Sequence, residues 1–197
     1  MKMIITSISV CLLFVAAQPP PVQAWDGKRK GFILGAGGAI GRITERASTD
    51  IQSPFVKPST TIKKLTYGFE VRLGYAFNQR NAVVFVREDS YMRAKNTFND
   101  TRLFLRQHIG FGLTHWLKPA APAFFLNGSI GWSHFREFSY GLASRFGFGA
   151  GAGLGYELTR HVSVQMSVTY LKAKLFVSPR NQFRDLSGRL SVVIMGY

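Results

Sequence analysis

From Leu65 to Phe77 every second residue is bulky and apolar: Leu65, Tyr67, Phe69, Val71, Leu73, Tyr75 and Phe77. The residues between them are Thr66, Gly68, Glu70, Arg72, Gly74 and Ala76, all small or polar. A helix turns about 100° per residue and would scatter these two sets around its circumference, whereas an extended strand places them on opposite faces. The segment is therefore a long strand with two unlike sides.

The same period recurs. Leu103, Leu105, Ile109, Phe111 and Leu113 alternate with Arg102, Arg106, His108, Gly110 and Gly112, with Phe104 and Gln107 each breaking the rule once. From Phe146 to Leu158 the apolar set alternates with glycine at every second position from Gly147 to Gly155, and from Val162 to Tyr170 it alternates with Ser163, Gln165, Ser167 and Thr169. Four weaker segments, at 31–43, 82–93, 123–135 and 185–197, complete a set of eight. In the second of these the facing is undecided. Val84 and Val86 outward would take Glu88 with them, the other register exposes Arg87 and Asp89, and a bulge is the expected compromise.

Connections alternate in length. The segments 78–81, 117–122 and 157–161 read as short turns, while 44–61, 94–100, 136–144 and 172–184 read as longer polar loops. Short turns at one end and long loops at the other fit an up-and-down barrel with its short turns and both termini on one side.

Alternation alone does not say which face meets water. The chain has 17 Phe and seven Tyr, and the lumen of an eight-stranded barrel cannot hold a large share of that volume. With the faces reversed, glycine, Ser, Thr and a few charged groups fill the lumen and hydrocarbon takes the bulky side chains. A sheet in hydrocarbon must then close, because an unpaired backbone N–H or C=O finds no partner there. The expected fold is all-β, a single eight-stranded antiparallel transmembrane β-barrel. Tyr75, Phe77, Trp116, Tyr156 and Tyr197 fall near the short-turn strand ends, where an aromatic girdle is expected.

The N-terminus supports export. Lys2 precedes an apolar run from Met3 to Ala17 and a small-residue site ending at Ala24, the layout of a secretory leader cleaved after Ala24, which leaves 25–197 as the barrel domain. No later run approaches the roughly 20 apolar residues that a spanning helix needs. The single cysteine, Cys11, lies inside the leader, so disulfides, thiolate metal ligands and cysteine nucleophiles are all excluded from the mature chain. Losing the leader removes Lys2 alone and leaves 24 basic against ten acidic residues, a net charge of +14. No nucleic-acid-binding signature accompanies that charge, so the expected counter-charges are lipid phosphates and acidic surface polysaccharide, and no nucleic acid is expected as partner.

The glycine-rich GFILGAGGAIG, the segment GFGAGAGLGYELTRHVSVQMSVTYLK and the C-terminal SVVIMGY resemble the small outer-membrane β-barrel proteins, the group of OmpA-type membrane domains, OmpX and opacity-type surface proteins. The last segment is similar to their assembly signal, with Tyr197 terminal and Met195 and Val193 at alternate positions, though Ser191 and Arg189 depart from it. The resemblance implies insertion by the barrel-assembly machinery, outer-membrane lipid and lipopolysaccharide as surroundings, and a monomer. It implies no single activity.

Two motifs invite other readings. Gly35, Gly38 and Gly41 have the spacing of a dinucleotide-binding turn, but no helix follows to hold a pyrophosphate and Pro54 and Pro58 interrupt what does follow, so these glycines are expected to thin the lumen side of the first strand. Ser133, His134, Glu137 and Ser139 gather nucleophile and base types such as a lipid-modifying barrel would use. Ser133 and His134 are adjacent on a strand, point to opposite faces and cannot exchange a proton directly, so no catalytic residue, metal or cofactor is expected.

Glu70, Arg72, Arg102, Arg106 and His108 share the inward parity. Charges in a narrow, weakly hydrated lumen persist only when paired, so these five are expected to form an internal ion-pair network that fills the barrel. The expected function is a non-enzymatic structural or surface-interaction role, with a narrow porin-like channel and a lipid-modifying enzyme as alternatives. Basic residues around the loops, among them Arg42, Lys63, Arg93, Lys172 and Arg184, are the expected contacts to lipopolysaccharide or a host molecule.

Overall fold

The computed structural model describes residues 29–48, 59–95, 101–137, 144–175 and 182–197. The expected leader lies outside them. Eight strands follow in chain order: β1 Gly31–Ser48, β2 Ser59–Ala76, β3 Asn81–Lys95, β4 Thr101–Trp116, β5 Ala123–Glu137, β6 Ser144–Glu157, β7 Val162–Leu175 and β8 Gln182–Gly196. Each pairs antiparallel with the next, and β8 returns to β1 to close the barrel. The strands run further toward the long loops than the sequence pattern shows, since β1 reaches Ser48 and β2 begins at Ser59 where a loop over 44–61 was expected. Polar residues dominate those extensions, which is why hydrophobic alternation misses them.

Following paired residues once around gives the stagger. Gly38 pairs with Phe69, and the row continues through Asp89, Gln107, His134, Phe146, Lys174 and Gln182 back to Ser48, ten residues along β1 from its start. For eight strands such a shear corresponds to a tilt of about 40° from the barrel axis.

The two faces separate as the alternation requires. Leu65 is 79% exposed and Tyr67 52%, while Glu70 and Arg72 between their neighbours are buried. Trp132, Met166 and Ile194 are likewise exposed on β5, β7 and β8. Apolar side chains dominate the outer surface, and most of the buried polar ones face the interior.

In β3 the register is regular, with no bulge. Val84, Val86 and Glu88 point inward; Phe85, Arg87, Asp89 and Tyr91 take the outer parity. The expected bulge is unnecessary because Asp89 is covered by its neighbours. Arg87 Nη2 donates to its carboxylate at 2.9 Å and Gln107 Nε2 at 3.0 Å, leaving no bare charge on the wall.

The glycine face of β6 receives side chains from β5. Phe125, Asn127 and Ser129 pair in register with Gly155, Gly153 and Gly151. A Cβ on Gly155 would lie 2.1 Å from the Phe125 ring, and one on Gly153 2.7 Å from Asn127 Oδ1. Not every glycine thins the lumen: Gly35 and Gly41 do, but Gly38 takes the outer parity, and neither Gly38 nor Gly188 has an atom within 4 Å of a built Cβ.

Gly155→Val is expected to cost about 1–3 kcal/mol through overpacking, while Gly38→Val or Gly188→Val is neutral or stabilising. Urea titration of protein folded in phospholipid vesicles checks this ordering.

Candidate functional site

The lumen contains three layers. At the short-turn end an apolar plug gathers Ile33, Val84, Trp116, Phe125, Met195 and Tyr197, and at the long-loop end Ile43, Met92 and Phe135 form a smaller one with Phe104 packed against it. Charged and amide side chains occupy the space between. The parity of strands crossing at a tilt stacks side chains of different strands at one height, so residues distant in sequence meet across the barrel.

Glu70 on β2 is central. Arg72 Nε lies 3.1 Å from its carboxylate, Gln165 Nε2 on β7 donates to both of its oxygens at 2.8 Å, and Arg189 Nη2 on β8 stands 3.8 Å away. Gln165 also accepts from Arg72 and, at 3.0 Å, from Asn127. Arg189 Nη1 donates to Glu88 at 3.1 Å, as does the Thr169 hydroxyl. Nearer the long loops, Arg106 Nε donates to Asp185 at 2.7 Å and its Nη2 to the Thr169 carbonyl at 3.1 Å. His108 Nε2 sits 3.0 Å from Ser129 Oγ. A cavity beside Arg72, Glu88, Asn127 and Ser129 has room for about one water molecule.

Below the plug, Arg29 closes the short-turn mouth. Its Nη1 donates to the Lys118 carbonyl at 2.7 Å and the Gln79 carbonyl at 3.4 Å, its Nη2 pairs with Glu157, and its guanidinium lies 5.2 Å from the Trp116 ring centroid. Tyr197 donates its hydroxyl to Glu157 at 3.3 Å. One cation thus joins two turns, the end of β6 and, through Glu157, the last residue of the chain.

Of the residues expected in the network, Glu70 and Arg72 are paired, Arg106 is in a second ion pair, and His108 is buried beside a hydroxyl. The side chain of Arg102 lies outside the described residues. The sequence reading missed Glu88, Gln165, Asp185, Arg189 and the Arg29–Glu157 pair. Arg189 and Asp185 share the inward parity of Val193 and Met195 on β8, which is the signal that points to them.

Two of the aromatic assignments, Trp116 and Tyr197, are corrected by the structure. Tyr75 and Phe77 are exposed on the outer wall at the short-turn end, and Tyr156 packs on Phe124 there with ring centroids 4.7 Å apart. Trp116 is 1% exposed and inside: on β4 the odd positions face out, and 116 is even. Tyr197 is inside with Val193 and Met195, because on β8 the even positions, Leu186, Leu190, Val192 and Ile194, face outward and the odd ones inward. Ser133 is buried with its hydroxyl donating to the Phe148 carbonyl, while His134 takes the outer parity with Nδ1 2.9 Å from Gln107 Oε1, so the two do not meet. Ser139 and the Glu137 side chain lie outside the described residues. No three His, Cys, Asp or Glu side chains converge as metal ligands among the described residues.

The family model described as the outer membrane protein beta-barrel domain matches residues 7–195. The chain belongs to the outer-membrane β-barrel protein family. Its seat is therefore the bacterial outer membrane. Among solved structures it is similar to Ail, the attachment invasion locus protein of Yersinia pestis, at 18% identity and a TM-score of 0.52, over 84% of this chain and 99% of that one. Neisserial surface protein A matches at 15% identity and a TM-score of 0.50, over 82% of this chain and 96% of that one. At these identities the likeness establishes the fold. No curated protein shows significant sequence similarity to the chain.

Removing Glu70 leaves Arg72 without its carboxylate and Arg189 with Glu88 alone. Glu70→Ala is expected to lower the unfolding free energy by about 3–5 kcal/mol, and Glu70→Ala with Arg72→Met to recover part of it. Urea unfolding in vesicles, followed by tryptophan fluorescence, measures both.

Proposed function

We propose that this outer-membrane barrel is a non-enzymatic surface protein with a sealed lumen, whose interactions run through its outer wall and long loops. The observation that carries this reading is the pair of apolar plugs above and below the ionic layer. An ion entering from either side would have to cross packed Trp116, Phe125 and Tyr197, or Ile43, Met92 and Phe135, before reaching the ionic layer between them. Hydrocarbon side chains offer it no hydration, and the guanidiniums and carboxylates beyond are already engaged with one another.

The distribution of charge supports a role at the wall. Glu70, Glu88, Asp89, Glu157 and Asp185 are all buried, four of them facing Arg29, Arg72, Arg106 and Arg189 in the lumen and Asp89 facing Arg87. Every exposed charged side chain among the described residues is a cation. In outer-membrane barrels the long loops are extracellular, so Arg42, Lys63, Arg93, Arg136, Lys172 and Arg184 ring the outer-leaflet boundary, where lipopolysaccharide presents phosphate. A lipid-modifying activity has little support, since Ser133 and His134 are on opposite sides of the wall.

In planar bilayers the purified protein is expected to show no steady conductance. Trp116→Ala combined with Phe125→Ala, which empties much of the lower plug, is expected to raise the frequency of openings. Regular unitary steps from the unmodified protein would favour the channel reading instead.

A further inference from the structure

Lys172 on β7 and Arg184 on β8 are directly paired in register, both on the outer face and both exposed. Two cations placed directly opposite one another run against the usual pairing of a sheet, because such like-charged pairs are destabilising. The wall at β3–β4 shows the contrasting arrangement, where Arg87 has its own carboxylate in Asp89. Among the described residues no carboxylate pairs with Lys172, Arg184 or Arg42.

The surface beneath the row is apolar and continuous. Tyr170 pairs with Leu186 one step toward the short turns, and Met166 with Leu190 further down, all exposed. Between them Val168, Gly188 and Arg42 share a row, and the outer side of Gly188 is open, with nothing within 4 Å of a built Cβ. The result is a shallow notch flanked by Leu186 and Leu190, with Arg42 on one side and the Lys172–Arg184 pair above. Cations at the head of an apolar strip match an amphiphile whose acyl chains lie along the wall and whose head carries phosphate. Guanidinium and ammonium groups together are the donors such a head requires.

We propose that the β7–β8–β1 face is a binding site for the phosphorylated saccharide head of an outer-leaflet glycolipid, with Lys172 and Arg184 holding phosphate and Arg42 bordering the notch. The inference rests on the orientation and surface role given above and assigns them one face of the barrel. It accounts for the like-charged pair: the missing counter-charge is supplied by the membrane. Without that lipid the pair repels, and with it the pair becomes a clamp.

The test uses the mature protein folded in a neutral detergent, with bisphosphorylated lipid A, its dephosphorylated form, a single-phosphate phospholipid and inorganic phosphate as probes, and binding read by native mass spectrometry. The bisphosphorylated glycolipid is expected to bind about tenfold more tightly than its dephosphorylated form. Lys172→Gln with Arg184→Gln is expected to remove about that factor, and Lys118→Gln with Arg160→Gln, at the short-turn end, to leave it unchanged. Lys172→Glu reports independently. It turns the repelling pair into an attracting one, so the midpoint of thermal unfolding is expected to rise in lipid-free detergent while glycolipid affinity falls. No discrimination by the unmodified protein between the phosphorylated and dephosphorylated lipids would overturn both the site and the glycolipid-contact reading. Discrimination that survives the Lys172 and Arg184 changes, or is lost equally in the short-turn control, would overturn the site alone. Equal affinity for inorganic phosphate or the single-phosphate phospholipid would assign the pair to free phosphate or to any anionic lipid and would also overturn the glycolipid site.

Discussion

Pairing of every backbone N–H and C=O within a closed ring of strands is the constraint on which the rest of this structure depends. Hydrocarbon accepts no unpaired amide, so β8 must return to β1, and the shear of ten fixes which side chains share a height inside. Once the ring is closed, alternate residues have only two destinations. The outer one is apolar, and the inner one is too narrow to be filled with water.

That narrowness explains the composition of the interior. Glycine along β6 lets Phe125, Asn127 and Ser129 reach inward, and the residual volume is taken by four arginines facing four carboxylates. Each buried charge would be prohibitive alone; held against a partner and bridged by Gln165 and Thr169, the set is tolerated and fixes the relative positions of β2, β3, β7 and β8. Apolar plugs above and below keep water from weakening the contacts between them, while Arg29 and Glu157 cap the lower one. The described carboxylates are all buried against partners, so the exposed charge on the wall is cationic.

The alternation in β2, β4, β6 and β7 made the barrel and the direction of its faces legible from the residues alone, since a strict period of two has a single structural meaning. β3 was ambiguous because Asp89 points outward and is neutralised by Arg87 and by Gln107 on the next strand, a cross-strand arrangement that no local pattern displays. Trp116 was misplaced by its nearness to a strand end; counting parity from Leu113 puts it inside. The lumen network was half legible. Inward parity identified Glu70, Arg72, Arg106 and His108, but the other partners of Glu70, Gln165 and Arg189, stand on β7 and β8, and only the closed ring and its shear decide that they lie at the same height. Arg29 precedes the first strand and carries no periodic signal at all.

The central claim is the partition of side chains between hydrocarbon and a sealed interior. Two single-tryptophan proteins, one retaining Trp132 and the other Trp116 with the remaining tryptophans replaced by phenylalanine, test it in vesicles of lipids brominated along the acyl chains. Strong quenching of Trp132, with Trp116 nearly insensitive both to bromine and to aqueous iodide, is the predicted result. Trp116 quenched as strongly as Trp132 by the brominated chains, or Trp132 quenched by iodide alone, would contradict it.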